Sequence, residues 1–132
     1  MGVRIMSEIE ILNMRNTPCV PDLCVRIDRK SKWGNPYRMR SERERMDVIK
    51  KYTYYLLDSE LVNDLHELEG KWLACWCYPK PCHGNVLKYL AEHPELIGMY
   101  RGGAISRDEI VRRIWHANGW KCEEVGQQMT LF

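Results

Sequence analysis

Lys71-Trp-Leu-Ala-Cys-Trp-Cys-Tyr-Pro-Lys-Pro-Cys-His-Gly-Asn-Val-Leu87 gathers three cysteines and a histidine between Cys75 and His83, and its reading decides the fold. Trp72 to Cys77 is apolar and extended, Tyr78-Pro79-Lys80-Pro81 is a breaker segment, and Val86, Leu87 and Leu90 recur at helical spacing. The pattern predicts a strand, a tight loop and a helix from about His83 to Glu92, which His93-Pro94 stops. The polar chemistry falls where strand gives way to helix. In open α/β sheets that is where ligands bind, because loops and helix N-termini converge beyond the carboxyl ends of the strands.

Working outward, the chain of 132 residues supports one domain with a modest core. Its net charge of +2 means that any attraction to nucleic acid must come from local patches. No run is long enough to span a bilayer, and Met1 to Asn13 carries charges where an export signal needs an apolar stretch. A cytoplasmic protein without a membrane partner is expected. The six cysteines then read as free thiols or metal ligands rather than disulfides. Cys75 and Cys77, alternating on a strand, would have Cα atoms about 6.5–7 Å apart, which makes a bridge between them unfavourable.

Upstream, Glu8 to Met14 alternates loosely as a first strand, with Met6 as the expected start of the domain. Leu23 to Asp28 alternates as a second, placing Leu23, Val25 and Ile27 on one face. Arg29-Lys30-Ser31-Lys32 leads into Trp33-Gly34-Asn35-Pro36-Tyr37, an irregular turn. A basic run ahead of a tryptophan suits a ligand with phosphate and ring, the charge holding the anion and the indole stacking. A solvated charge run beside a half-buried tryptophan is the plainer alternative. Ser41 to Glu44 is a capping-box pattern opening a helix to about Leu57. Its charged side, including Glu42, Arg43 and Arg45, reads as solvent-facing. A shorter helix carries Leu61, Leu65 and Leu68 and ends at Gly70.

Beyond the central stretch, Gly98, Gly102 and Gly103 loosen the chain before Ser106 to Glu109, a second capping box. The helix it starts carries Ile110, Val111, Ile114 and Trp115 on one side and is stopped by Asn118-Gly119. These segments group as an α/β domain over 6–95, a helical extension over 96–122 and a flexible tail over 123–132. The expected fold is a single compact α/β domain whose short, mostly parallel sheet is flanked by helices.

The cysteine cluster has three readings. Cys75, Cys77, Cys82 and His83 have the composition of a tetrahedral zinc site, although all four donors are local and two are adjacent. As a catalytic pair, Cys82 at the positive end of a helix would be a stabilised thiolate, with His83 beside it to move a proton. The helix start, through His83, Gly84 and Asn85, would also suit an anion. The third reading makes Cys75 and Cys77 small buried strand residues and His83 a capping residue.

Arg29, Ser31 to Tyr37, Leu73 to Cys77, Pro79 and Pro81 to Leu87 together resemble a small domain family of unknown function, domain of unknown function 4326, frequent in bacteriophages and bacteria. The resemblance covers about residues 9–92. It implies a compact α/β domain with a site joining the two signatures, and it carries no established reaction. Asn85 stands where the family often has aspartate. The Cys-His motif is also similar to that of a flavodoxin-like family with Cys-His-Arg at a helix start, but this chain lacks the arginine. Gln128-Met-Thr-Leu-Phe132 resembles the sliding-clamp-binding peptide of replication proteins, with Gln128 at the rim and Met129, Leu131 and Phe132 as the apolar part.

The leading expectation is a nucleotide- or DNA-directed protein, with nucleotide or base modification as its enzymatic form, tethered to replicating DNA through a sliding-clamp peptide. Arg29, Lys32, Trp33, Asn35, Gly84 and Asn85 would hold the ligand, and Cys82 and His83 would lie at the reacting end. The alternative is a non-catalytic binding module, zinc-stabilised through the cysteines, acting on the replisome or a host defence component.

Overall fold

The computed structural model describes residues 9–20 and 22–121. Its centre is a three-stranded parallel sheet in the order β1-β3-β2, formed by β1 (Glu10–Asn13), β2 (Cys24–Arg26) and β3 (Trp72–Cys75). β3 lies in the middle, with Leu73 opposite both Ile11 and Val25. Leu73 and Ala74 are fully buried, as a central parallel strand with both faces covered requires.

The helices cover one face. α1 (Arg45–Leu57), preceded by a 3-10 turn at Glu42–Glu44, and a 3-10 segment at Glu60–Leu68 form the crossover from β2 to β3. α2 (His83–Glu92), α3 (Glu95–Arg101) and α4 (Arg107–Ala117) follow β3. Ile11, Ile27, Leu73, Tyr52, Leu56, Leu87, Leu90, Ile110, Ile114 and Trp115 share one core, so α4 is built into the same hydrophobic unit as the sheet. Behind the sheet a smaller cluster of Leu12, Cys24 and Ala74 packs with Met14 and Cys19.

Several local expectations change. Cys19 and Cys24 form a disulfide with Cα atoms 5.5 Å apart, in place of the free thiols or metal ligands expected of the cysteines. The connection from β1 to β2 brings these two residues within bridging distance behind the sheet. Ser41 makes no side-chain cap, and the Glu44 carboxylate instead accepts the Arg40 amide. The stretch with Gly98, expected to be loose, is helical as α3, because burial of Leu96 and Ile97 outweighs the roughly 1 kcal/mol helix penalty of one glycine. The second capping serine behaves as read, Ser106 accepting the Glu109 amide. The Gln128–Phe132 peptide lies outside the described residues.

The turn after β2 is fastened by backbone contact. A Cβ on Gly34 would lie 2.6 Å from the Arg29 Cα and 2.7 Å from the Asp28 carbonyl, so only glycine lets this turn close on the end of β2. Gly34→Ala is therefore expected to lower stability by roughly 1–3 kcal/mol through overpacking. Thermal denaturation reads this as a lower Tm; an unchanged Tm would contradict the packing.

Candidate functional site

α2 begins where the sequence places it. Cys82 is the N-cap in extended conformation: its Sγ accepts the Gly84 amide at 3.3 Å, and its own amide donates to Asn85 Oδ1 at 3.1 Å. This is a capping box built from cysteine and asparagine. Asn85 also donates to Asn118 Oδ1 at 3.0 Å, which ties the helix start to the end of α4. Gly84 is buried, and a Cβ there would lie 2.8 Å from Ile27 Cδ1, so the helix approaches β2 closely. Gly84 and Asn85 thus hold the helix in place and do not line the cavity described below.

His83 crosses to the second strand. Its Nε2 donates to the Ile27 carbonyl at 2.6 Å, and its ring meets the edge of Tyr52 with centroids 4.8 Å apart. Tyr52 in turn donates its hydroxyl to the Trp33 carbonyl at 2.8 Å. Asn35 donates to the Val48 carbonyl at 3.1 Å and accepts the Tyr37 amide at 2.9 Å. These bonds fasten the Trp33-Gly-Asn-Pro-Tyr37 turn and the Cys82-His83 helix start to the same face of α1.

The two segments share one cavity of about 440 Å³. Arg29 and Asn35 line it from the first segment, and Cys75, Cys77, Cys82 and His83 from the second. Arg38, Arg40 and Arg45, the aromatic residues Tyr37 and Trp76, and Pro81 complete much of the wall. It opens beyond the carboxyl ends of β2 and β3, at the position that parallel sheets reserve for ligands.

Trp33 and Lys32 stand elsewhere. Trp33 is only 2% exposed and belongs to the core, because the turn folds its indole inward while Tyr52 satisfies its carbonyl. It is not the stacking surface expected from the sequence. Lys32 forms ion pairs with Asp64 and Glu67, each at 2.9 Å, and does not line the cavity. The exposed rings at the cavity are instead Tyr37 and Trp76, 39% and 47% exposed.

The charged groups on the cavity wall are mostly cationic, although Arg40 and Arg45 pair with Glu44 and Glu42 outside it. Four arginines line it with a single carboxylate, Asp28, which is bonded to Arg26 and to the Trp76 indole at 3.1 Å. Arg29 donates to the Tyr37 carbonyl at 3.2 Å. Arg45, read from the sequence as solvent-facing, has a side chain only 12% exposed. It donates to the Pro81 carbonyl at 3.0 Å and pairs with Glu42. No spacing signal marks Arg45, whereas Arg38 and Arg40 directly follow the turn and were within reach of the same reading.

The thiols form a trio. Cys75 Sγ lies 3.6 Å from Cys82 Sγ, and Cys77 lines the same cavity close enough for Cys82 to lower its proton affinity. Cys75 and Cys82 are buried, while Cys77 is half-buried. The Cys82 hydrogen bond, with help from Arg45 and against burial, holds the Cys77 thiol down to about 6. The same partner brings Cys75 to about 7. Cys82 is pushed well above its ordinary value, because it holds the proton that its neighbours accept and is itself buried. One proton on Cys82 serves one acceptor at a time, and two adjacent thiolates repel, so the trio favours a single thiolate near neutrality. Arg45 places that charge on Cys77.

These facts revise the expected roles. The two neighbouring thiols and burial favour the neutral form on Cys82, while Cys82 and Arg45 favour the charged form on Cys77. His83 is brought to about 4 by burial, so at neutral pH it is an uncharged ring whose Nε2 proton is committed to Ile27. With His83 turned to that carbonyl, the four-donor zinc set does not assemble. Among the described residues no group of three or more His, Cys, Asp or Glu side chains could hold a metal ion. The end of β1 also contributes: Asn13 Nδ2 donates to the Tyr78 carbonyl at 2.8 Å and steadies the thiol-bearing loop.

Fold and site together define an α/β domain with a basic, thiol-floored crevice at the carboxyl end of a parallel sheet. The chain belongs to the family described as Domain of unknown function (DUF4326), which it matches over residues 12–93. It is also similar to the uncharacterized protein R718 of Acanthamoeba polyphaga mimivirus, with 37% identity over 65 residues, covering 43% of this chain and 50% of that one. The match thus spans about half of that relative's length. No solved structure matches the chain.

The thiol assignment predicts a pH profile. Because the folded Cys77 value is depressed, its thiolate is present above about 6 and is lost as pH falls through that point. Iodoacetamide alkylation of Cys77 should therefore rise with an inflection near 6, whereas an ordinary cysteine inflects near ~8.5. Arg45→Gln should move the inflection upward by about one unit. An ordinary inflection in the folded wild-type protein would contradict the assignment.

Proposed function

We propose that the cavity binds a nucleotide, with phosphate on the arginine side, the base against Trp76 or Tyr37, and the Cys77 thiolate at the reacting end of a nucleotide- or base-modifying site. The observation that carries this reading is the lining itself: Arg29, Arg38, Arg40 and Arg45 surround a space whose only carboxylate, Asp28, already has partners. Guanidinium groups match phosphate oxygens bidentately, and an exposed indole or phenol stacks on any base. The volume supports the same reading, since about 440 Å³ falls in the size range of small-molecule and cofactor sites.

In this reading His83 and Tyr52 are positioning residues. Cys82 supplies a thiol that holds and returns a proton, and Arg45 keeps Cys77 ionised beside the bound anion. No helix among the described residues is long and apolar enough to cross a membrane. We also propose, on sequence resemblance alone, that Gln128, Met129, Leu131 and Phe132 dock on a sliding clamp. That would carry the domain to replicating DNA in the cytoplasm and give it access to nucleotide or DNA substrates. A phage or viral setting fits the mimivirus relative.

Calorimetric titration with the deoxynucleoside 5′-monophosphates and the matching nucleosides tests the reading. The monophosphates should bind and the nucleosides should bind much more weakly. Replacing the exposed Arg38 and Arg40 with alanine should weaken nucleotide binding about tenfold or more, the scale of lost charge-assisted hydrogen bonds. Equal binding of nucleotide and nucleoside, or no binding of either, would overturn it.

A further inference from the structure

We propose that Cys77 and Cys82 form an oxidisable pair, in which a peroxide oxidises Cys77 and Cys82 resolves the product as an internal disulfide. Three observations carry this beyond the nucleotide reading, and none depends on which anion the cavity takes. First, the thiols differ in access: both line the cavity, but Cys77 is half-buried whereas Cys82 is buried. Redox-active cysteines combine an accessible thiolate with a nearby resolving thiol.

Second, Cys82 lies 3.6 Å from Cys75 and lines the same cavity as Cys77, whose proton affinity it lowers more than any other neighbour does. Formation of a disulfide therefore calls for a small local approach of sulfur atoms. Third, each sulfur has a group that favours its ionised form: the Arg45 guanidinium, held on the cavity wall by the Pro81 carbonyl, for Cys77, and the Gly84 amide, donating at 3.3 Å, for Cys82. The other titratable groups acting on the pair are Cys75 from β3, Glu42 from the 3-10 turn, and Tyr52 from α1. Glu42 opposes the thiolate but is itself paired with Arg45 and Lys80.

The chemistry balances. The Cys77 thiolate attacks a peroxide oxygen, forming S–O as O–O breaks; the departing alkoxide or hydroxide takes a proton and leaves as alcohol or water. Cys77 is then a sulfenic acid, oxidised by two electrons. Cys82 gives up its proton and attacks that sulfur, forming S–S as S–O breaks, and the hydroxyl leaves with the proton as water. An external dithiol restores both thiols by exchange, itself becoming a disulfide. In the oxidised state Cys77 no longer presents a thiolate to the cavity, so peroxide would switch the site off and a dithiol would switch it on.

The test uses the full chain in a Cys122→Ser background, treated with one equivalent of hydrogen peroxide and followed by intact mass and dimedone labelling. The parent should lose two hydrogens without gaining oxygen, and dithiothreitol should reverse the change. Cys82→Ser should instead accumulate a dimedone-reactive sulfenic acid. Cys77→Ser should slow peroxide-driven thiol loss about tenfold or more, because the accessible thiolate is gone, and Cys75→Ser should still close the disulfide. Oxygen addition to the parent without disulfide formation would overturn the proposal. So would oxidation of Cys77→Ser at the parent rate, or loss of disulfide formation in Cys75→Ser alone.

Discussion

The hydrogen bond from His83 Nε2 to the Ile27 carbonyl is the contact on which the site depends. Ile27 ends the segment that leads into the Trp33 turn, and His83 starts α2, so this bond joins segments 56 residues apart in sequence. Its strength comes from confinement. The imidazole packs against buried Tyr52; burial keeps it neutral, and the Ile27 carbonyl, which can only accept, calls for the proton on Nε2. Tyr52 extends the link through its hydroxyl to Trp33, so strand end, turn, α1 and α2 are held by one connected set of polar contacts inside an apolar core.

With that frame closed, the strand-to-helix loop has little freedom. Cys82 must be extended to cap α2, which directs its sulfur toward Cys75 and Cys77 at the end of the central strand. Arg45 anchors the loop at Pro81 and Asn13 anchors it at Tyr78. The result is a thiol cluster whose members differ in access and in affinity for a proton. Burial favours the neutral thiol on Cys82, while Arg45 favours the charged form on Cys77. A small parallel sheet thereby presents arginines and thiols together beyond the carboxyl ends of its strands.

The sequence made much of this frame legible. The apolar run from Trp72, followed by the Tyr78-Pro-Lys-Pro81 breaker and the helical spacing of Val86, Leu87 and Leu90, places β3 and α2; the strand ends at Cys75, and the limits His83–Glu92 agree with the helix found. The expectation that the Asn35 turn and the His83 helix start meet at a cavity also agrees with the structure. Side-chain direction was less legible. Trp33 follows lysines and looks exposed, yet tertiary packing turns it into the core, while Trp76, which resembles a strand-core residue, faces outward. Arg45 looks like one more charge on a helix surface until the Pro81 loop folds over it. Which cysteine carries the thiolate depends on three sulfurs and a guanidinium brought together only by folding. The Cys19–Cys24 bridge likewise follows from how the β1–β2 connection is drawn behind the sheet.

Amide shift mapping by heteronuclear NMR during titration with a deoxynucleoside 5′-monophosphate most directly probes whether both segments serve one ligand site. The account predicts saturable, concerted shifts at Asn35, Tyr37 and Arg38 and at Cys77, His83 and Gly84, with one apparent Kd for both groups. Shifts at one group alone, or two groups titrating with unrelated affinities, would contradict it.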